Sequence, residues 1–118
     1  MPAAVGMALA RPDEKIIAVL GDGSSMYAIQ GLRAAKQWNA NIAFVILKNG
    51  RYEALHSFGR HFGMHEMVGT MFPDLDFVAL AKGHGVSGVR AEDPTALDAA
   101  LSHAFATNGP ILVEAVIV

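Results

Sequence analysis

Asp22 and Asn49 are the residues whose types and spacing could do chemistry in this sequence. Asp22 closely follows the apolar run 15–20, KIIAVL, and Asn49 lies near the end of a second apolar run, 41–50, NIAFVILKNG. Short, continuous apolar runs of this kind are typical of buried strands in a parallel sheet. Because parallel strands end at one edge of the sheet, where ligands bind, we expect both side chains to lie at that edge.

A carboxylate and an amide carbonyl are hard oxygen ligands of the kind that Mg²⁺ prefers, and Mg²⁺ completes its coordination shell with waters and phosphate oxygens. Gly21 and Gly23 flank Asp22 and allow a tight turn and a close approach of the backbone to a ligand. The N–H groups of residues 24–26 open the next predicted helix and could bind a phosphate. The pattern therefore indicates a site for magnesium and phosphate.

Other interpretations of the glycine-flanked aspartate stay open on these residues alone. An aspartate after a strand is also common in a simple turn that its side chain closes with an Asx hydrogen bond. The dinucleotide-binding pattern is not met, because Met26 stands where the third glycine is needed, and the sequence also lacks a Walker A loop. A phosphoacceptor domain with a magnesium site would need a pair of acids here, and Asp22 stands alone.

The rest of the chain alternates helical and strand patterns. In order, these predict a helix with Pro2 in its first turn, a strand over 15–20, a helix over about 25–38 capped by Ser24 or Ser25, a strand over 41–50, a helix capped by Asp76, a strand over 86–91, a helix capped by Asp93, and a strand over 111–118. Residues 51–73 have no firm periodicity and are typical of a functional loop. We therefore expect an α/β fold: one domain over 1–118, with a three-layer parallel sheet and helices on both faces.

Composition narrows the class of protein. The chain has 118 residues, of which 53% are hydrophobic, which is enough for a core and argues against disorder. The net charge of -2 gives no reason to expect nucleic acid or an anionic membrane as a partner. Cysteine is absent, which excludes disulfides, and no apolar run reaches the roughly 20 residues that span a bilayer. We expect a cytoplasmic protein.

The stretch GDGSSMY…VILKNGRYEAL resembles the cofactor motif of thiamine diphosphate-dependent decarboxylases, in which Gly-Asp-Gly is followed after about two dozen residues by Asn-Asn. Asp22 and Asn49 stand 27 positions apart, which fits that pattern. The resemblance continues through PAAVGMALA, DFVALAKGHGV and GPILVEAVIV, and so covers nearly the whole chain. Within the family, KNGRYEALHSF is most similar to the NNGTYGALRWF of benzoylformate decarboxylases, while acetolactate synthases share the same scaffold.

This resemblance implies a thiamine diphosphate-binding fold and assigns roles to matching residues. Asp22 and Asn49 would bind Mg²⁺ through their side chains, and Arg51 through its backbone carbonyl. The residues expected to contact the cofactor, with its diphosphate next to Gly23, Ser24 and Tyr52, are Gly21, Asp22, Gly23, Ser24, Ser25, Asn49, Arg51, Tyr52 and Leu55. Leu55 and Phe58 would lie near the thiazolium ring and the substrate pocket. Lys48 and Arg51 depart from the motif, since they replace an asparagine and a small residue.

The resemblance also implies partners. The parent enzyme would act on an α-keto acid, and a pyrimidine-binding domain, of the same or a neighbouring subunit in a homo-oligomer, would carry the activating glutamate. That domain and the segment before PAAVGMALA are expected to be missing, so we expect an N-terminally truncated fold, no catalytic residue in this chain and no turnover by the chain alone. The alternatives are a small magnesium–phosphate-binding subunit of a split two-chain enzyme, an acetolactate synthase-type carboligase domain, and a purely structural α/β domain.

Several other residues allow more than one interpretation. His56, His61 and His65 are interpreted as part of a polar loop over the pocket, with a zinc pair at His61 and His65 or an incidental surface as the alternatives. Trp38 and the methionines are interpreted as packing residues. Glu114, in the last strand, is expected to face a polar edge rather than to be a buried acid, and Asp22 is expected at the rim of the core.

Overall fold

Apolar and β-branched residues in succession form the central strands, and helices with one apolar face cover them. The computed structural model describes residues 1–117. In chain order the elements are α1 (Pro2–Ala10), β1 (Ile16–Gly21), α2 (Asp22–Met26), α3 (Gly31–Gln37), β2 (Ile42–Lys48), α4 (Glu53–His61), α5 (Phe77–Gly83), β3 (Ser87–Ala91), α6 (Pro94–Ala106) and β4 (Ile111–Val116). The predicted last strand ends at Val116, and its final predicted residue, Val118, lies outside the described residues.

The sheet is parallel, with the strand order β1-β2-β4-β3. Gly21 at the end of β1 pairs with Leu47, and Lys48 at the end of β2 pairs with Val116 of β4. Three strands therefore end at one edge of the sheet, and the segments that carry Asp22 and Asn49 both leave from that edge. This arrangement confirms the predicted common edge.

Helices cover both faces of the sheet, as the alternating pattern predicts. On one face, α1, α3 and α5 pack on the larger core, in which Phe44, Ile46 and Leu112 are fully buried. On the other face, α6 packs on β3 and β4 through small side chains, among them Ala100 and Ala104. The result is the predicted three-layer α/β fold. No helix in residues 1–117 has the length and apolarity needed to cross a membrane.

The single helix predicted over 25–38 is wrong. The structure has the short helix α2, a turn over residues 27–30, and then α3. In this turn the N–H groups of Ala28 and Gly31 donate to carbonyls three residues earlier, those of Ser25 and Ala28. Bonds of this spacing wind the backbone more tightly than an α-helix and interrupt it. Gly31 can then approach Met1, since a Cβ on Gly31 would lie 3.2 Å from the Met1 Cβ.

Residues 51–73, which lack clear periodicity, contain the helix α4. Glu53 lies in its first turn and Arg60 and His61 in its last, an arrangement that favours the helix dipole. The following loop folds back onto α4, because Gly59 has no side chain and a Cβ there would lie 2.3 Å from the Met67 sulfur. The sequence thus contains a helix here that the analysis of its apolar residues alone does not find.

Two predicted caps are confirmed, and the interpretation of Trp38 as a packing residue is wrong. The carboxylates of Asp76 and Asp93 accept hydrogen bonds of 2.8 Å from the N–H groups of Ala79 and Ala96, at the starts of α5 and α6. Trp38 is 64% exposed, because α3 ends at Gln37 and the chain turns away there. Met7, Met64 and Met71 are exposed as well.

Candidate functional site

Asp22 begins α2 directly after β1, and its carboxylate lies inside the molecule, 3% exposed. Its Oδ1 accepts the N–H of Gly23 at 2.8 Å. Its Oδ2 accepts two N–H groups from the segment after β2, those of Asn49 at 2.9 Å and Gly50 at 2.7 Å. The carboxylate therefore links the ends of two neighbouring strands, and the expectation that Asp22 lies at the rim is wrong.

The negative charge of Asp22 has no cationic partner in residues 1–117. No lysine, arginine or histidine nitrogen in these residues lies within 4.0 Å of its carboxylate. In the part of the chain that the structure describes, its hydrogen-bond donors are backbone N–H groups. Hydrogen bonds from N–H groups compensate for part of the lost hydration of a buried carboxylate, but they carry no net charge. The site is therefore suited to a cation from outside the chain.

Asn49 follows β2 and presents its side-chain amide on the same pocket as Asp22. Its Oδ1 accepts the N–H of Arg51 at 3.1 Å, which fixes the orientation of the amide. An amide oxygen offers two lone pairs and an ionised carboxylate about four. The hydrogen bonds described above use one acceptor position of Asn49 and three of Asp22, so each side chain retains a position for a metal ion.

These donors fit Mg²⁺ better than a metal that needs a full protein cage. No group of three or more His, Cys, Asp or Glu side chains in residues 1–117 is arranged to hold a metal ion. Mg²⁺ is commonly held by one or two protein oxygens and completes its octahedron with waters and phosphate oxygens. The donor set at Asp22 and Asn49 therefore fits a magnesium ion that arrives with a phosphate compound.

A pocket of about 370 Å³ opens beside these two side chains. Of the predicted site residues, all but Ser25 and Phe58 line it, namely Gly21, Asp22, Gly23, Ser24, Asn49, Arg51, Tyr52 and Leu55. The tertiary structure thus brings together residues from two separate stretches of the chain, after β1 and after β2.

The two remaining predicted residues lie beside the pocket. Ser25 is buried beneath it, where its hydroxyl donates to the backbone carbonyl of Asp22 at 2.7 Å and supports the turn. Phe58 lines a neighbouring apolar groove of about 380 Å³, which shares Leu55 with the pocket. The groove continues the pocket along α4.

Gly23 and Tyr52 form one wall of the pocket by close packing. A Cβ on Gly23 would lie 2.4 Å from the Tyr52 ring, so a larger residue would displace that ring. The ring is also held edge-on against Phe72, with the centroids 4.9 Å apart. This packing gives the second glycine of the motif a definite purpose: it lets α2 and the segment after β2 approach each other.

Five further pocket residues are missed by the sequence analysis, namely Tyr27, Leu47, Glu53, Ala54 and Ile117. Glu53 and Ala54 begin α4, and the charge pattern of that helix is the signal that could have found them. Glu53 pairs with Arg51 and with Arg60. Hydrogen bonds from Arg60 and then from Arg51 lower the pKa of Glu53 from its usual value, so the carboxyl group is ionised at neutral pH.

The histidines do not gather over the pocket. The Nε2 atom of His56 lies 2.9 Å from the hydroxyl oxygen of Thr70, which itself donates to the carbonyl of Met67. These two contacts join α4 to the loop that follows it. His61 and His65 are exposed.

Glu114 is fully buried in β4, so the expectation that it faces a polar edge is wrong. Its Oε1 lies 2.9 Å from Arg90 Nε and 3.3 Å from Lys48 Nζ. Its Oε2 accepts the N–H groups of Phe77 at 2.9 Å and Val78 at 3.3 Å, at the start of α5. The pKa of Arg90 is raised, chiefly by its hydrogen bond to Glu114. Two cations and two amides thus compensate the Glu114 carboxylate.

A family model described as "Thiamine pyrophosphate enzyme, C-terminal TPP binding domain" matches residues 1–115 of this sequence. The chain belongs to this family. It is 42% identical over 114 residues to the benzoylformate decarboxylase of Pseudomonas aeruginosa, an alignment that covers 97% of this chain and 22% of that protein. It is 31% identical over 114 residues to the mitochondrial acetolactate synthase catalytic subunit of Saccharomyces cerevisiae, covering 97% of this chain and 17% of that protein.

The fold comparison agrees. The thiamine diphosphate-dependent 4-hydroxybenzoylformate decarboxylase of Rhodococcus jostii superimposes with a TM-score of 0.92 at 39% identity, covering 97% of this chain and 22% of that chain. The thiamine diphosphate-binding fold that the motif implies is therefore confirmed. The chain spans about a fifth of the length of the benzoylformate decarboxylase that it matches, 22%.

Proposed function

We propose that this chain holds the diphosphate group and the Mg²⁺ ion of thiamine diphosphate in an enzyme that decarboxylates an α-keto acid of the benzoylformate type. One observation carries the proposal: Asp22 is buried with no cation beside it among residues 1–117, and it faces a pocket that also presents the Asn49 amide oxygen. Membership of the thiamine diphosphate family supplies the cofactor, and the 42% identity to a benzoylformate decarboxylase supports the substrate class.

The metal ligands in this proposal are the side chains of Asp22 and Asn49 and the backbone carbonyl of Arg51. Each side chain has an acceptor position to spare, and the Arg51 N–H already orients the Asn49 amide. Bound Mg²⁺ offsets the buried charge of Asp22 and the charge of the diphosphate together. The remaining coordination positions are filled by diphosphate oxygens and water.

The rest of the pocket orients the cofactor. Ser24 and Tyr52 offer hydroxyl groups, and the backbone at Gly21 and Gly23 allows the diphosphate to come close. Leu55 lies where the pocket meets the apolar groove that contains Phe58, and these two side chains contact the thiazolium ring and the substrate. An apolar groove of this kind favours an aromatic side chain on the α-keto acid.

When bound, thiamine diphosphate supplies the electron sink that accepts the electron pair left by departing CO₂. The residues of this chain bind and orient, and none of them is proposed as a catalytic residue. The activating glutamate is proposed to lie on a pyrimidine-binding domain, of the same or a neighbouring subunit of a homo-oligomer. Because that half of the site is separate, the isolated chain does not turn over.

The decisive experiment measures binding rather than turnover. The chain is titrated calorimetrically with thiamine diphosphate in the presence of Mg²⁺ and again in the presence of a chelator, for wild type, Asp22→Asn and the matched surface control Asp98→Asn. Asp22→Asn keeps the shape of the side chain and removes its charge, whereas Asp98 is exposed on α6. We expect Mg²⁺-dependent binding by wild type and Asp98→Asn, and its loss in Asp22→Asn.

Binding that is independent of Mg²⁺, no binding by wild type, or an Asp22→Asn variant that binds like wild type would contradict the proposal. Circular dichroism spectra of the three proteins check that the variants keep the fold. Direct observation of the metal uses Mn²⁺ in place of Mg²⁺ and electron paramagnetic resonance, in which Asp22→Asn should leave the Mn²⁺ signal as in free solution.

A second candidate, favoured by the 31% identity to an acetolactate synthase, is a carboligase of that type. A third arrangement is a split enzyme, in which this chain is the small magnesium–phosphate-binding subunit and a second chain carries the pyrimidine-binding domain. The first two candidates are separated by supplying the pyrimidine-binding domain of a benzoylformate decarboxylase in trans. Release of CO₂ from benzoylformate supports the first, and formation of acetolactate from pyruvate supports the second.

A further inference from the structure

Three charged side chains form a cluster at the mouth of the cofactor pocket: Arg51, Glu53 and Arg60. Glu53 is the first residue of α4, and each of its carboxylate oxygens is bound by a different arginine. Arg51 approaches Oε2 through its Nε, and Arg60 approaches Oε1 through a terminal amino group at 2.9 Å. Arg60 also donates to the Ser57 hydroxyl at 3.0 Å.

This cluster carries a net positive charge, because two guanidinium groups share one carboxylate. Arg51 and Glu53 line the pocket, whereas Arg60 pairs with Glu53 without lining it. Arg51 therefore presents a positive charge that is only partly neutralised. Arginine keeps that charge throughout the physiological pH range.

The geometry of Arg51 leaves its terminal amino groups available. Its hydrogen bond to Glu53 uses Nε, and within residues 1–117 its two terminal nitrogens make no hydrogen bond. The side chain is 44% exposed and lines the same pocket as Asp22 and Asn49. A guanidinium group that is oriented through Nε and free at its two terminal nitrogens has the shape that binds two oxygens of a phosphate group side by side.

We infer that the Arg51 guanidinium is a second anion-binding group of the pocket and binds the diphosphate of the cofactor directly, beside the magnesium ion. This inference rests on the proposed function and gives a definite role to the side chain of Arg51, whose backbone carbonyl was expected to bind Mg²⁺. Glu53 keeps the guanidinium oriented before the anion arrives, which reduces the entropy lost on binding. Because the diphosphate carries more charge than one Mg²⁺ neutralises, a further cation is favourable.

Three variants of the chain test the inference. Arg51→Gln removes the charge and the terminal donor pair, Arg51→Lys keeps a charge but not the planar donor pair, and Arg33→Gln makes the same change of net charge at an exposed position of α3. Calorimetric titrations with inorganic diphosphate and with thiamine diphosphate, both with Mg²⁺, are repeated over a series of KCl concentrations. Circular dichroism verifies that each variant is folded.

We expect Arg51→Gln to weaken binding of both ligands about 10-fold, as the loss of one charged hydrogen-bonding group does. Arg51→Lys should lie between wild type and Arg51→Gln. Arg33→Gln should bind like wild type. The dependence of affinity on salt should be shallower in Arg51→Gln than in wild type, because one charge–charge contact is gone.

Two results separate a failure of this inference from a failure of the proposed function. If Asp22→Asn abolishes Mg²⁺-dependent binding while Arg51→Gln binds as tightly as Arg33→Gln, the inference is overturned and the proposed function stands. If wild type binds neither ligand in the presence of Mg²⁺, both are overturned.

Discussion

Asp22 and Glu114 are two buried carboxylates near the same edge of one sheet, and they differ in what neutralises them. Asp22 accepts hydrogen bonds from three backbone N–H groups and has no cation within 4.0 Å in the described residues. Glu114 accepts two backbone N–H groups and is also paired with Arg90 and Lys48. Backbone N–H groups donate to both carboxylates, but among the described residues only Glu114 is also paired with cationic side chains.

We interpret this difference as the one between a binding group, as proposed for Asp22, and a structural group, Glu114. A buried carboxylate that is already paired with two cations gains little from a third. A buried carboxylate held only by amides keeps a strong local field, because the interior screens charge less than water does. Burial of an acid is therefore a poor guide to its function, and the count of nearby cations is a better one.

The largest effect on stability is expected at Glu114. Glu114→Ala leaves Lys48, Arg90 and the first amides of α5 without their common acceptor, and we expect a loss of about 3 kcal/mol in the free energy of unfolding, because breaking a buried pair leaves its partner uncompensated. Urea denaturation followed by circular dichroism measures the loss. The control is Glu92→Ala, an exposed glutamate near the same edge. Equal stability of the two variants would contradict the structural role of Glu114.

Asp22→Ala is expected to cost less, about 1–3 kcal/mol, the range for buried backbone donors that lose their acceptor. The amides of Asn49 and Gly50 then lose the carboxylate oxygen that accepts both of them. Asp22→Asn keeps an acceptor oxygen and should lie closer to wild type in stability, although we expect it to lose metal binding. The exposed Asp74→Ala serves as the control. If Asp22→Ala is as stable as wild type, the carboxylate does not join the two strand ends.

Metal binding should stabilise the protein through Asp22 and not through Glu114. With inorganic diphosphate present and Mg²⁺ at ten times its dissociation constant, linkage predicts a gain of about 1.4 kcal/mol. The increase in the thermal midpoint should be seen in wild type and in Glu114→Gln and should be absent in Asp22→Asn. An equal increase in all three proteins would place the metal elsewhere.

The smallest effect concerns Asp76, which joins the Glu114 cluster through Arg90 at 3.0 Å. The N–H of Ala79 and then Arg90 lower the pKa of this carboxyl group in the folded state. A folded-state pKa below the unfolded value adds stability at neutral pH, and this stability is lost as the pH falls below about 4. Asp76→Asn keeps a helix cap but has no such titration, so wild type should lose more stability than Asp76→Asn between pH 6 and pH 3. Urea denaturation at both pH values measures the free energy of unfolding. An equal loss in wild type and in Asp76→Asn would contradict this prediction.

Much of the fold follows from local patterns. The apolar runs predict β1, β2 and β4, and the aspartate caps predict the starts of α5 and α6, because buried strands and helix starts have sequence signals within a few residues. The predictions fail where a contact between residues far apart in the sequence determines the local structure. The turn that divides α2 from α3 is adapted to the packing of Gly31 on Met1, and α4 is fixed by the loop that packs on Gly59.

The candidate site shows the same division. The motif identifies Asp22 and Asn49 as neighbours, since its spacing is tied to a known cofactor site, and the structure gives them one pocket. The motif gives no indication that the Asp22 carboxylate is enclosed by the amides of Asn49 and Gly50. Nor does the motif reveal that Glu53 pairs with Arg51 and that Arg60 pairs with Glu53. Those contacts depend on the position of α4.

The sequence by itself determined the α/β class, the parallel strands and the residues of the thiamine diphosphate motif, because periodicity and motif spacing are local properties of the chain. Only the tertiary structure decided which buried acid is neutralised. Glu114 meets Arg90 and Lys48 because the strand order β1-β2-β4-β3 places β4 between the two strands that carry them. Asp22 lies after the edge strand β1, with β2 as its one neighbouring strand in the described sheet, and there it meets amides and no cation.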